Sequence, residues 1–341
     1  MTAHDITLFP FATYWWLYGA FAVMVMGLLA LDLGVFHREQ HTVGFKEALG
    51  WTAVWVTLAL LFDLGLYLYL RHRLPLDATL MALPGFDPAA VARSTALEFL
   101  AGYVVEYSLS IDNIFVFVVV LGYFAIPAEL QHRVLFFGIL GALVFRAAFI
   151  AVGALLVQYQ WVLILFGAFL VYTGFKVMFA PEKPMEPEKN VLVRLTHMLM
   201  PVTPDFHGKS FFARLDGKLH ATRLFVAVQF LELTDIVFAV DSVPAIFALT
   251  DEPFVVFTSN VFAILGLRNL YFMLRGAVDK FHLLKYGLGI VLIFVGLKML
   301  VLNRMYGGHF PIGLSLGVIV CVIGGSVLLS LLFPRAHAAE E

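Results

Sequence analysis

A single cysteine, Cys321, is present in the 341 residues of the chain. That count excludes an intrachain disulfide and any cluster of thiolates on one metal ion. Charge is scarce too, with only 13% of residues being Asp, Glu, Lys or Arg, against roughly 25% in water-soluble domains. The 22 basic residues do not outnumber the 24 acids, and the net charge is −2. There is no basic footprint, so nucleic acid is not a partner. The Gly-rich phosphate loop of ATP-driven machines is missing, as are the His-Glu-x-x-His and Gly-x-Ser-x-Gly strings of hydrolases. The expectation is a protein that is not an enzyme and carries no organic cofactor. Residues Met1–Asp5 hold no Lys or Arg, and no small-residue cleavage site follows the first apolar run. That run reads as a retained span, not a signal peptide.

What the chain has in abundance is apolar surface. Hydrophobic residues make up 61% of it, and they come in runs that reach the ~20 residues a helix needs to cross a bilayer. Nine such runs predict helices at approximately Tyr14–Phe36, Glu47–Leu70, Ala92–Tyr123, Val134–Val157, Trp161–Phe179, Thr222–Leu249, Pro253–Leu274, Leu283–Leu302 and Phe310–Phe333. The fold class is therefore an all-α polytopic membrane protein with the lipid bilayer as its solvent. The loops that fall on one side hold Arg38, Lys46, Arg133, Arg275, Lys280 and Lys285, together with the basic residues of a long linker. The other side holds Arg71, Arg73, Arg93 and Arg304. Because basic loops stay in the cytoplasm, the N-terminus is expected outside and the C-terminus inside. The linker, residues 180–221, opens with a charged, Pro-rich stretch from Pro181 to Lys189 that cannot bury a core. Further on, Phe211 to Thr222 with Asp216-Gly217 at its centre predicts a β-hairpin on a two-residue turn.

Two stretches resemble each other. Glu106 precedes Asp112 by six residues, as Asp235 precedes Asp241, and Asn113 or Ser242 follows. Gly138-Ile-Leu-Gly141 and Arg146 match Ala263-Ile-Leu-Gly266 and Arg268. Gly167, Gly174 and Lys176 then match Gly289, Gly296 and Lys298 at the same spacing. Each unit contains three spans, so the second would lie upside down in the membrane, the arrangement that places substrate sites near the midplane in secondary transporters. The expected organisation is residues 1–91, two helices; 92–179, the first repeat; 180–221, the loop; 222–303, the second repeat; and 304–341, the ninth helix and tail.

Acids expected within spans are Asp32, Asp63, Glu98, Glu106, Asp112, Glu232, Asp235 and Asp241. Each costs roughly 2.5–3.5 kcal/mol at the bilayer centre if ionised and unpaired. Arg146, Lys176, Arg268 and Lys298 are expected toward helix ends, with their stems reaching the interface. An interior rich in acid and poor in base attracts cations. On an unbroken helix a six-residue step turns two side chains ~120° apart and ~9 Å along the axis, so a local break or π-type irregularity is expected near each motif, helped by Ser108, Ser110 and Pro244. Glu232 and Asp235 share a face without one. The ligands on offer, Glu106, Asp112, Glu232, Asp235 and Asp241 with Asn113 and Ser242, are hard oxygens that suit Mn²⁺, Ca²⁺ or Mg²⁺. Asp32, Asp63, Glu98 and Thr234 are candidates for the wider pathway.

At these motifs the sequence resembles the TerC/Alx family of integral membrane proteins. The resemblance rests on Glu106-Tyr-Ser-Leu-Ser-Ile-Asp112-Asn113, on Glu232-Leu-Thr-Asp235 and on the run from Ile236 to Asp241-Ser242-Val-Pro244. Asp32 to Arg38 and Gly266-Leu-Arg268 support it. It implies a bacterial inner-membrane protein related to the LysE transporter superfamily and associated with Mn²⁺ efflux, alkaline response and tellurite resistance. The leading expectation is a secondary transporter exporting Mn²⁺ as its bound substrate in exchange for protons. Two others stand beside it: a structural or assembly factor in membrane-protein biogenesis or stress response, and an intramembrane aspartyl protease using Asp112 and Asp241.

Overall fold

The computed structural model describes residues 7–31, 44–179, 198, 200–203, 205–215, 217–275, 281–306 and 310–333, apart from the side chains of residues 112 and 115. Long helices dominate it. In chain order they are α1 (Phe11–Leu31), α2 (Phe45–Arg73), α3 (Pro88–Tyr123), α4 (Ala128–Leu156) and α5 (Gln160–Phe179). After the linker come α6 (Arg223–Phe247), α7 (Pro253–Leu274), α8 (Leu284–Met305) and α9 (Ile312–Leu332). Eight of these are long and apolar enough to cross a membrane. The ninth, α6, has 25 residues, about 37 Å of helix, and differs in carrying Glu232, Asp235 and Asp241. The chain is a multi-pass integral membrane protein built from helices.

Local chemistry sets where the helices begin. Asp87 caps α3 by accepting from the N–H groups of Ala89 (2.9 Å) and Ala90 (3.1 Å), and Pro88 fills the first helical position, where a missing N–H costs nothing. The chain leaves α3 through Ala125, a non-glycine residue at φ +49°, and re-enters helix after Pro127. The hairpin forms as expected: β1 (Phe212–Leu215) pairs antiparallel with β2 (Lys218–Ala221), Leu215 facing Lys218. Gly217 sits at φ +77°, the left-handed conformation such a turn requires. Phe211 then packs on Phe137 of α4, centroids 4.9 Å apart, with Arg133 over both rings.

The helices are not packed in sequence order. α5 lies along α8, α4 along α6, and α3 along both α6 and α7. Between neighbours α3 and α4, or α4 and α5, contact is slight. The centre of the bundle is α7: 94% of its most apolar stretch is buried, against 17% for α9. α1 and α9 therefore form the lipid-facing periphery. Glycines permit the closest crossing. A Cβ on Gly174 would stand 2.6 Å from the Gly289 carbonyl, and one on Gly296 would stand 2.6 Å from the Gly167 carbonyl.

The expected breaks at the acidic motifs do not occur. α3 runs unbroken through Glu106–Asn113 and α6 through Asp235–Pro244. Ser108 does bond back to the Val104 carbonyl (2.6 Å), yet the ladder continues. Pro244 stands one turn from the end of α6, where the helix is about to stop anyway. The π-helical turn lies elsewhere, at Lys298–Leu302 in α8.

Candidate functional site

Convergence comes from helices crossing. Glu106 of α3 and Asp235 of α6, the equivalent acids of the two matched motifs, meet on the same guanidinium, that of Arg146 from α4. Arg146 Nε and Nη2 donate to the two oxygens of Asp235 at 3.0 and 2.8 Å, a two-pronged ion pair. Its Nη1 donates to Glu106 Oε1, and has Asn260 Oδ1 at 3.2 Å and Ser242 Oγ at 3.3 Å. Asn260 Nδ2 in turn donates to Glu106 Oε2 at 3.2 Å. Four helices are joined at this one side chain, and Arg146 is only 1% exposed.

This corrects the expected placing of the basic residues. Arg146 is at the centre of the bundle, and Arg268 and Lys298 are buried as well, 3% and 4% exposed. Snorkelling fails for Arg146 because two carboxylates await it inside, and two-pronged pairing in the low-dielectric interior outweighs the reach to the interface. The interior is consequently less poor in base than composition suggests, and Glu106 and Asp235 are already engaged.

Beside the cluster lies a cavity of about 60 Å³, lined by Glu106, Asn113, Arg146, Asp241 and Ser242 among apolar walls that include Phe238 and Leu292. It exceeds the ~10–15 Å³ that one water needs. Asn113 is 2% exposed, and its Oδ1 has no hydrogen-bond partner among the described residues. A buried carbonyl oxygen left so costs roughly 1–3 kcal/mol unless something in the cavity satisfies it. Asp241, which also lines the cavity, accepts from Thr173 Oγ1 of α5 at 3.3 Å. Among the described residues no three His, Cys, Asp or Glu side chains are grouped as a ready-made metal cage.

The remaining expected residues scatter. The backbone of Asp112 lies in α3, but its side chain is outside the described residues, as is all of Asp32. Glu232 shares the α4-facing side of α6 with Asp235 but packs against Gly141, where an added Cβ would meet its Oε1 at 2.2 Å. Thr234 donates to its own helix, at the Phe230 carbonyl (2.7 Å). Asp63 is in α2 with a buried Oδ1 lacking a partner among the described residues, and it lines neither this cavity nor a larger one where α3 begins.

That larger cavity, about 380 Å³, opens where α3 begins and α6 and α8 end, and is lined by Glu98, Thr250, Asp251, Lys298 and Asn303 among others. Glu98 accepts from Ser94 Oγ (2.9 Å) and Thr250 Oγ1 (2.7 Å). Eight residues of α3, ~12 Å, separate it from Glu106. On the same face Glu252 accepts from the backbone N–H groups of Leu8 and Phe9. Burial pushes the Glu252 carboxyl up to about 8, those two N–H groups pull it down, and nearby Glu98 and Asp251 add to the rise. The residues missed by sequence reasoning are Arg146 as an ion-pair partner, Asn260, Thr173 and Lys298. For Asn260 a signal existed: Thr258-Ser259-Asn260 is a polar triplet in the middle of an apolar span.

The profile of the family described as "Integral membrane protein TerC family" matches residues 91–338. A membrane protein of Myxococcus xanthus with no assigned function is 47% identical over 323 residues, 94% of this chain and 93% of its own. A protein of Escherichia coli strain K12, provisionally named a membrane-bound redox modulator, Alx, is 44% identical over 309 residues, 90% of this chain and 91% of its own. A membrane protein of Rickettsia bellii is 36% identical over 282 residues, 82% and 86% of the two chains. No solved structure matches.

Proposed function

The chain belongs to the TerC family of integral membrane proteins, and from that membership and the α3–α6 crossing we propose that it is a secondary transporter exporting a divalent metal cation. Mn²⁺ is the leading substrate, and the compartment boundary is a bacterial inner membrane with the N-terminus outside. The observation that carries this reading is the small cavity. The unsatisfied Asn113 Oδ1 and the Asp241 carboxylate face it together with Ser242 Oγ, and all are hard oxygen donors. Glu106 lines the same space, and Asp112 is one residue from Asn113 on α3.

The outward route runs from the small cavity to the larger one, about two turns of α3 nearer the outer face, where Glu98 and Asp251 line the exit. Carboxylates that release a metal ion can take up a proton, so one set of side chains could run metal outward and protons inward. The two glycine crossings pair the repeat positions reciprocally, Gly167 with Gly296 and Gly174 with Gly289. That reciprocity is what two inverted repeats about a common axis would produce, and it favours a transporter architecture.

The relatives' name points to redox balance. With one cysteine in 341 residues, a disulfide relay within the chain has no second sulfur, whereas moving a redox-active metal would alter redox state indirectly. The test is Mn²⁺ binding to the purified protein and Mn²⁺ tolerance of cells that depend on it. Asp241→Asn and Asn113→Ala should each abolish both at normal protein levels. Tolerance unchanged in both variants would remove the site assignment.

A further inference from the structure

We propose that Arg146 is a tethered counter-cation: its Nη1 end holds Glu106 while the cavity lacks a metal ion, and an arriving divalent cation takes Glu106 over. The idea deepens the transport reading above and rests on it. The two ends of the guanidinium are held differently. Nε and Nη2 form two parallel bonds to Asp235 at 3.0 and 2.8 Å, a fork that fixes the group. Nη1 carries two hydrogens, yet three acceptors lie within its reach: Glu106 Oε1, Asn260 Oδ1 and Ser242 Oγ. Release of Glu106 Oε1 therefore leaves Asn260 Oδ1 and Ser242 Oγ for the two hydrogens of Nη1, while Glu106 Oε2 can keep its bond from Asn260 Nδ2.

Glu106, Arg146 and Ser242 all line the small cavity, so the exchange happens at its wall. Metal and guanidinium compete for one carboxylate. While Nη1 holds it, Glu106 is compensated, and the metal-free protein can change conformation without an unpaired charge at its centre. A buried carboxylate stripped of its only counter-charge would oppose that step strongly. Arg146 thus serves the return of the empty carrier, at the expense of metal affinity.

The experiment uses the full chain in proteoliposomes with Mn²⁺ as probe. The variant Arg146→Gln/Asp235→Asn removes one positive and one negative charge together, so the local charge is kept. Without the competitor, Mn²⁺ should bind about tenfold tighter, the factor expected if Glu106 is free about a tenth of the time. Exchange of Mn²⁺ for Mn²⁺, which needs no reorientation of the metal-free carrier, should persist, while net Mn²⁺ flux falls by about tenfold or more. Binding that is unchanged or weaker in the folded variant overturns the proposal, as does a parallel fall of exchange and net flux. A merely structural role for Arg146 predicts that second pattern. Arg146→Lys keeps a tethered charge and serves if the double variant does not fold: exchange and net flux should stay together, and their separation contradicts the proposal. A wild-type protein that neither binds nor exchanges Mn²⁺ would defeat the transport reading itself.

Discussion

Gly167 of α5 and Gly296 of α8 meet backbone to backbone: a Cβ on Gly296 would stand 2.6 Å from the Gly167 carbonyl oxygen. No side-chain rotation relieves such a contact, so any larger residue must push the helices apart. Gly296→Val should lower the thermal midpoint of the detergent-solubilised protein, at an overpacking cost of about 1–3 kcal/mol. Gly317→Val on α9, where nothing lies within 4 Å, is the matched control and should melt like the wild type. Equal melting of the two variants would contradict the crossing.

Arg146 is the keystone of the buried polar cluster, and truncating it leaves Glu106 and Asp235 without their counter-charge. Arg146→Ala should cost about 3–5 kcal/mol, the range for breaking one side of a buried ion pair, read as loss of folded protein from the membrane fraction. The charge-matched pair Arg146→Gln/Asp235→Asn should lose clearly less. If the single and the double variants proved equally stable, the ion pair would not be what holds these helices.

Glu252 gives the N-terminal segment a pH dependence of definite sign. Its carboxyl is pushed up to about 8, chiefly by burial, against about 4.3 in an unfolded chain. Between those values the folded protein holds a proton that the unfolded chain has lost. Stability from this group is therefore fully present below about 4.3 and falls as pH rises through about 8, then levels off. Glu252→Gln should flatten that slope. Proteolytic release of the segment around Phe9, followed from pH 5 to 9, is the measurement; a wild-type rate that does not rise with pH more than the variant's would refute the assignment.

Topology can be read with thiol labels because the native cysteine is quiet. Cys321 is exposed, but it lies midway along α9 among apolar residues, so a membrane-impermeant maleimide should not reach it in intact cells. Asp251→Cys, at the mouth of the larger cavity, should label from outside, and Lys218→Cys in the hairpin only after permeabilisation. The reverse pattern would invert the proposed orientation.

Much of the architecture was legible in the sequence, because spans are written as uninterrupted apolar runs and a hairpin as Asp-Gly between short strands. All nine expected helices are present, including α6 despite its acids. The site was legible only in part. Acids in apolar runs betray themselves by their cost, so Glu106, Asp235 and Asp241 stood out. What they touch depends on how helices cross, and that is a property of packing. Arg146 was misplaced since a long basic side chain in a span is indistinguishable, on sequence alone, from one that snorkels. The expected breaks at the motifs failed for the same reason: acids on one helix need not converge when a second helix brings the partner.

The interleaving of the two three-helix stretches has a consequence for how the protein is made. Each helix of the first stretch finds its main neighbour in the second, so, apart from the packing of α3 on α2, the ribosome must deliver α6 to α8 before this stretch can settle. Until then Glu106 has Arg146 from its own half for company, while Asp235, synthesised later, arrives to claim the guanidinium's other edge. Neither half should survive alone in a cell, and the two expressed as separate polypeptides should rescue one another.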